Sequence, residues 1–128
     1  MVFCGAAPPK PTKGTTVTVH ILEDDPGVSD SLDLLLRGMG HRTVAYPDAE
    51  SFFEGSLPAP EDTVLVDLRL PGISGAQVIR WLRSLEAPPR IIAISGQARA
   101  AIEAQTAGIE HLEVLRKPLN PQKLAALL

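Results

Sequence analysis

The sequence predicts an α/β fold: a five-stranded parallel sheet with helices on both faces. Three observations carry that prediction. Short runs rich in β-branched and apolar residues alternate five times with segments of helical spacing. The runs are close to continuously apolar, as in Ile91-Ile92-Ala93-Ile94, which is the pattern of strands covered on both sides. Proline or glycine punctuates most of the junctions, so the periods change where the chain can turn.

Residues 1–14 hold Gly5, Pro8, Pro9, Pro11 and Gly14 with Lys10 and Lys13, and are expected to form a flexible tail ahead of one domain over 15–128. Thr15 to Leu22 is the first strand and runs straight into Glu23-Asp24-Asp25. Asp25-Pro26 then starts a helix, the carboxylate capping free N–H groups and the proline tolerated in the first turn. Val28, Leu32, Leu35, Leu36 and Met39 follow at helical spacing until Gly38 and Gly40 end it. Thr43 to Tyr46 is the second strand. Asp48 caps a second helix that carries Phe52 and Phe53 and is closed by Pro58 and Pro60.

Thr63 to Asp67 is the third strand, and Gly75 to Leu85 a helix with Val78, Ile79, Leu82 and Leu85 on its inner stripe. Pro88-Pro89 precedes the fourth strand, Arg90 to Ser95. Ala98 to Ala107 is a helix ended by Gly108, Leu112 to Leu115 a weaker fifth strand, and Asn120-Pro121 opens a short last helix that reaches Leu128.

At 128 residues the chain is long enough for one well-buried core. With 45% hydrophobic and 21% charged residues and a formal charge of -3, it offers no basic surface for nucleic acid. No apolar run approaches the roughly 18 residues of a membrane span, and the start has no export-signal pattern. The lone Cys4 has no internal disulfide partner, which fits a cytoplasmic protein.

In an open parallel sheet, ligands bind outside the carboxyl ends of the strands. The polar residues fall at those ends: Glu23 and Asp24 after the first strand, Asp67 closing the third, Ser95 closing the fourth and Lys117 after the fifth. Three crowded carboxylates repel one another unless a cation joins them, and Mg²⁺ suits oxygen ligands that leave room for a phosphate. Asp67 can then attack phosphorus to form an acyl phosphate, with Lys117 and Ser95 supplying charge and a hydroxyl donor to the phosphoryl oxygens.

From about Thr15 to Leu128 the chain resembles the receiver (response regulatory) domain of bacterial two-component response regulators, of the chemotaxis-regulator type. The resemblance rests on the acidic pair Glu23 and Asp24, on Asp67 with the following Pro71 and Gly75, on Ser95-Gly96, and on Lys117-Pro118. It implies the flavodoxin-like strand order 2-1-3-4-5 and a Mg²⁺ held by Asp24, Asp67, Glu23 and the backbone carbonyl of Arg69. It also implies a cis Lys117-Pro118 bond and a phosphohistidine donor on a sensor histidine kinase or histidine phosphotransfer protein. It leaves open a homodimer through the face made by helix 4, strand 5 and helix 5. Two positions depart from the family pattern: Val114 stands where many members have an aromatic residue, and Glu23 where aspartate is usual.

The expected function is therefore a phosphoacceptor switch that catalyses only its own phosphorylation and dephosphorylation. Two readings compete. One is a receiver-like interaction module that is not phosphorylated. The other is an aspartyl-phosphate phosphatase, against which stands Arg69, two positions after Asp67, where such enzymes need a general acid. His20 is expected in the core or at a sheet edge, His41 and His111 in solvated loops, and Trp81 in a packing role. The fourth helix has only Ile102 as a large apolar residue and is expected to be weakly anchored and to move on phosphorylation.

Overall fold

The computed structural model describes residues 17–128, so the tail, Cys4 and the Thr15-Thr16 start of the first strand lie outside the described residues. Strands and helices alternate along the chain as β1 (Thr18–Leu22), α1 (Pro26–Gly38), β2 (Arg42–Tyr46), α2 (Ala49–Glu54) and β3 (Thr63–Asp67). They continue as α3 (Gly75–Arg83), β4 (Arg90–Ser95), α4 (Arg99–Gln105), β5 (Glu113–Arg116) and α5 (Pro121–Leu127). The strands form one sheet in the order β2-β1-β3-β4-β5, parallel throughout. From β1, inside the sheet, the described residues run to one edge at β2 and return to build the other side. That reversal between β1 and β3 opens a crevice at their carboxyl ends.

The period of two along the strands divides the core into two layers. Val64 and Val66 of β3 face the side that holds Phe52 of α2, Val78, Ile79 and Leu82 of α3, and Ile102 of α4. Leu65, between them, faces Leu32 and Leu36 of α1 and Leu124 of α5. All of β3 is buried, so each of its apolar side chains contributes about 1.5–3 kcal/mol by leaving water. β2 is an edge strand, and its exposed Val44 and Ala45 show it.

The helix starts follow the caps expected for them. Asp25 accepts from the Gly27 N–H at 2.9 Å, and Asp48 from Ser51 at 2.8 Å. Asn120 accepts from Gln122 and Lys123. α3 has a full capping box between Ser74 and Gln77. α4 alone among these begins without a side-chain cap, at Ala98.

Several helix ends differ from expectation, each for a local reason. Gly38 lies inside α1, and the turn to β2 is made at Gly40, whose φ of 92° suits glycine. α2 stops at Gly55, ahead of Pro58 and Pro60. α3 stops at Arg83, with Ser84 donating its hydroxyl to the Trp81 carbonyl. α4 spans Arg99–Gln105 and not 98–107, because Thr106 donates back to the Ile102 carbonyl at 2.8 Å and closes the last turn.

His20 lies buried in β1, stacked on Tyr46 and edge-on to Phe52, with Nε2 3.0 Å from Asp62 Oδ2. The carboxylate places the proton on Nε2, while the buried Nδ1 has no partner. His111 is exposed, as expected. His41 is not solvated: it is half-buried at the α1–β2 turn, with Nδ1 shielded from water.

Candidate functional site

The sheet register brings the acids together. Leu22 pairs with Val66, so the next residues on each strand, Glu23 and Asp67, emerge side by side at the carboxyl edge. The Glu23 N–H still bonds the Tyr46 carbonyl at 3.1 Å, which fixes its backbone before the chain turns into Asp24. On the other side Ser95 pairs with Arg116, and the Lys117 N–H bonds the Ser95 carbonyl at 2.9 Å. Lys117 therefore leaves the end of β5 toward the acids, and the Lys117-Pro118 bond is cis, as the resemblance implied.

Carboxylate oxygens of Glu23, Asp24 and Asp67 lie within 4.8 Å of one another. Glu23 and Asp67 are 2% and 4% exposed, whereas Asp24 is open to solvent. Lys117 Nζ stands 3.0 Å from Glu23 Oε1 and 3.0 Å from Asp67 Oδ2. The other oxygen of Asp67 accepts from the Arg69 N–H at 2.9 Å, and Glu23 Oε2 accepts from the Asp25 N–H at 3.2 Å. These groups line a cleft of about 360 Å³ with Gly96 and Gln97.

The charges in this cleft are not balanced among themselves. Burial, then the hydrogen bond it shares with Asp67, push the Glu23 carboxyl up to about 7, against the opposing pull of Lys117 and the Asp25 N–H. Burial works against the Lys117 ammonium, but its bonds to Glu23 and Asp67 outweigh that and hold its pKa above the usual lysine value. Glu23 Oε1 is buried and faces the Lys117 ammonium at 3.0 Å. Three carboxylates face one ammonium here, and such an all-oxygen donor set fits a hard divalent cation such as Mg²⁺.

Of the residues singled out in the sequence, Glu23, Asp24, Asp67 and Lys117 converge, and Arg69 lines the same cleft. Ser95 is fully buried, and its hydroxyl is engaged with Gln97, accepting from the Gln97 N–H at 3.0 Å. Asp25 is the helix cap and also lines the cleft. Gln97 was not anticipated. Its signal was present as the residue two after a strand-end serine, the spacing at which a hydroxyl folds back on the backbone.

Gly75 has a steric reason. A Cβ built there would lie 2.2 Å from the Asp67 carbonyl oxygen and 2.7 Å from Leu68 Cα, so α3 can start this close to Asp67 only from glycine.

Comparison with known proteins agrees with this geometry. The transcriptional regulatory protein FixJ of Rhizobium meliloti is 31% identical over 108 residues, covering 83% of this chain and 52% of that protein. The DNA-binding response regulator MtrA of Mycolicibacterium smegmatis is 30% identical over 110 residues, covering 84% of this chain and 47% of that protein. The chain thus spans about half the length of the curated relatives it matches.

Among solved structures, the receiver domain of sensor histidine kinase PA1611 from Pseudomonas aeruginosa, with a magnesium ion in its active site cleft, has a TM-score of 0.76 at 23% identity. That match covers 86% of this chain and 92% of that one. The response regulator DrrB of Thermotoga maritima has a TM-score of 0.75 at 19% identity, covering 88% of this chain and 50% of that one. At these identities both show the fold. The family model for the response regulator receiver domain matches residues 19–128, almost all of the described chain, and the protein belongs to that family of two-component signalling domains.

Proposed function

We propose that the chain is the phosphoacceptor switch of a two-component phosphorelay, taking a phosphoryl group on Asp67 from a phosphohistidine. The donor is a sensor histidine kinase or a histidine phosphotransfer protein, and the setting is the cytoplasm. The observation that carries the reading is the convergence of Glu23, Asp24, Asp67 and Lys117 at the carboxyl edge of the sheet, with Asp67 buried yet opening on the cleft. An Asp67 carboxylate oxygen bonds to phosphorus while the P–N bond to the donor imidazole breaks, and the imidazole keeps that electron pair.

The Arg69 N–H holds one Asp67 oxygen and so orients the carboxylate. Lys117 balances the charge on the phosphoryl oxygens from the far side of the cleft. Glu23, Asp24, Asp67 and the Arg69 carbonyl would hold Mg²⁺, which when bound supplies positive charge to the same oxygens. The domain turns over no external substrate. Ser95 responds to the product: its hydroxyl turns from Gln97 to donate to a phosphoryl oxygen, and α4 with β5 shifts in consequence. Self-association through the α4, β5 and α5 face belongs to the same proposal.

Incubation with Mg²⁺ and a small acyl phosphate should give an acid-stable, base-labile phosphate. Asp67→Asn should abolish it, and a chelator should suppress it. Label that survives in Asp67→Asn would move the acceptor elsewhere, and no label on the native chain would sink the reading in favour of a docking module.

A further inference from the structure

The two ends of α4 are held in opposite ways. Its first residue, Arg99, follows Ala98, which offers no side-chain cap, and Ala98 to Ala100 are exposed. Its single buried residue is Ile102. At its other end, by contrast, Arg80 of α3 bonds the last helix carbonyl and one just beyond it, and Arg83 bonds the loop that leads on to β5. One nitrogen of Arg80, Nη2, donates to the carbonyls of Gln105 and Ala107 at 3.0 and 3.1 Å. Arg83 Nη1 donates to the Glu110 carbonyl at 2.7 Å, and its Nη2 reaches the His111 carbonyl at 3.5 Å. Carbonyls at a helix C-terminus carry partial negative charge, so a guanidinium such as that of Arg80 satisfies them with charge-assisted bonds. This loop needs such support, because Gly108 and His111 both adopt positive φ, 85° and 54°.

One of the two bonds that hold the segment before α4 is one that the switch itself would alter. Ser95 Oγ accepts the Gln97 N–H at 3.0 Å, and Arg116 Nη2 donates to the Gln97 carbonyl at 2.9 Å. A Ser95 hydroxyl that turns away to a phosphoryl oxygen gives up the first of these. Nothing comparable reaches the arginine end, which is bonded to α3, an element built rigidly into the core through Val78, Ile79 and Leu82.

We infer that Arg80, with Arg83 holding the loop that follows, forms a pivot that pins the C-terminal end of α4, so that activation swings the helix from its uncapped N-terminal end and does not translate it. The inference rests on the phosphoacceptor reading and specifies how that site's output moves. A helix of seven residues rises about 10 Å, so a modest rotation about the pinned end displaces the surface at Ala98 to Ala100 most.

Amide hydrogen exchange on the full chain, with Mg²⁺ and then with beryllium fluoride added, tests this. Fluorine NMR of the bound fluoride reports separately whether Asp67 is occupied, so a failure of the phosphoacceptor reading is distinguishable from a failure of the pivot. With Asp67 occupied, exchange at residues 97–102 should rise about tenfold while residues 105–111 change by less than about twofold. In Arg80→Gln/Arg83→Gln, residues 105–111 should exchange faster before activation, and the response should then spread to both ends. Equal responses at the two ends of the native helix would overturn the pivot, and this arm needs no variant to fold. A double variant that keeps the native asymmetry would overturn it as well.

Discussion

Gly75 lies outside the acid cluster, yet it sets how close α3 can come to Asp67. The atoms nearest a Cβ there are all backbone of Asp67 and Leu68, with no flexible side chain to yield, and the closest, the Asp67 carbonyl oxygen, would be 2.2 Å away. Gly75→Ala must therefore push α3 off the end of β3. We expect a loss of about 3 kcal/mol, the upper part of the range for overpacking, together with slowed phosphorylation because the displaced backbone is that of the proposed nucleophile. Denaturant unfolding and the rate of acyl-phosphate labelling check both. A variant that unfolds like the native chain would mean that the start of α3 is free to move. At this scale the acid cluster was legible in advance, since a carboxylate ending an apolar strand stands out against the strand's own period. The roles of Gln97, Arg80 and Arg83 were not. Each depends on loops that meet through the fold, across 27 residues for Arg83 and Glu110, with no local pattern to mark them.

Element boundaries depended on details finer than periodicity. Among the described residues the five strands and five helices fall where alternation places them, most plainly for β1, β3 and β4, whose apolar runs are buried on both faces. The helix ends moved by a few residues where a hydroxyl or a glycine closed the turn early, as Thr106 does for α4 and Gly55 for α2. The caps are where single side chains decide an element. Ser74 accepts the Gln77 N–H at 3.2 Å while Gln77 accepts from the Ser74 N–H at 2.9 Å. Ser74→Ala removes the acceptor half of this box and should cost about 1 kcal/mol in chemical denaturation. The same change at Ser84 should cost less than about 0.5 kcal/mol, since its hydroxyl only donates to an exposed carbonyl at a helix end. Equal losses at the two sites would show that α3 is held by its buried stripe alone.

For the whole molecule, the proposed metal site would make stability and Mg²⁺ binding two sides of one titration. Folding raises Glu23 from 4.5 to about 7, so the folded state holds that proton more tightly than the unfolded chain. Its contribution is complete below 4.5 and is lost as pH rises through about 7. Asp33 and Asp48 act with the opposite sign: hydrogen bonds, from Thr43 to the first and from the Ser51 backbone to the second, lower their pKa values, so their contribution is present above 3.8 and lost at lower pH. The metal-free domain should thus be most stable on the acid side of neutrality and weaken from about pH 5 to pH 8. On the proposed site, Mg²⁺ should favour the ionised Glu23 and reverse that limb, because only the folded chain gathers the cluster. At a hundredfold excess over its dissociation constant it should add about 2.7 kcal/mol. Below pH 7 its affinity should fall by up to about tenfold per pH unit as Glu23 regains its proton. Thermal melts at several pH values, with Mg²⁺ and with a chelator, measure all of this at once. In Glu23→Gln the metal-free decline toward neutrality should flatten and the Mg²⁺ gain should shrink. A Mg²⁺ effect of the same size at every pH would place the ion away from Glu23.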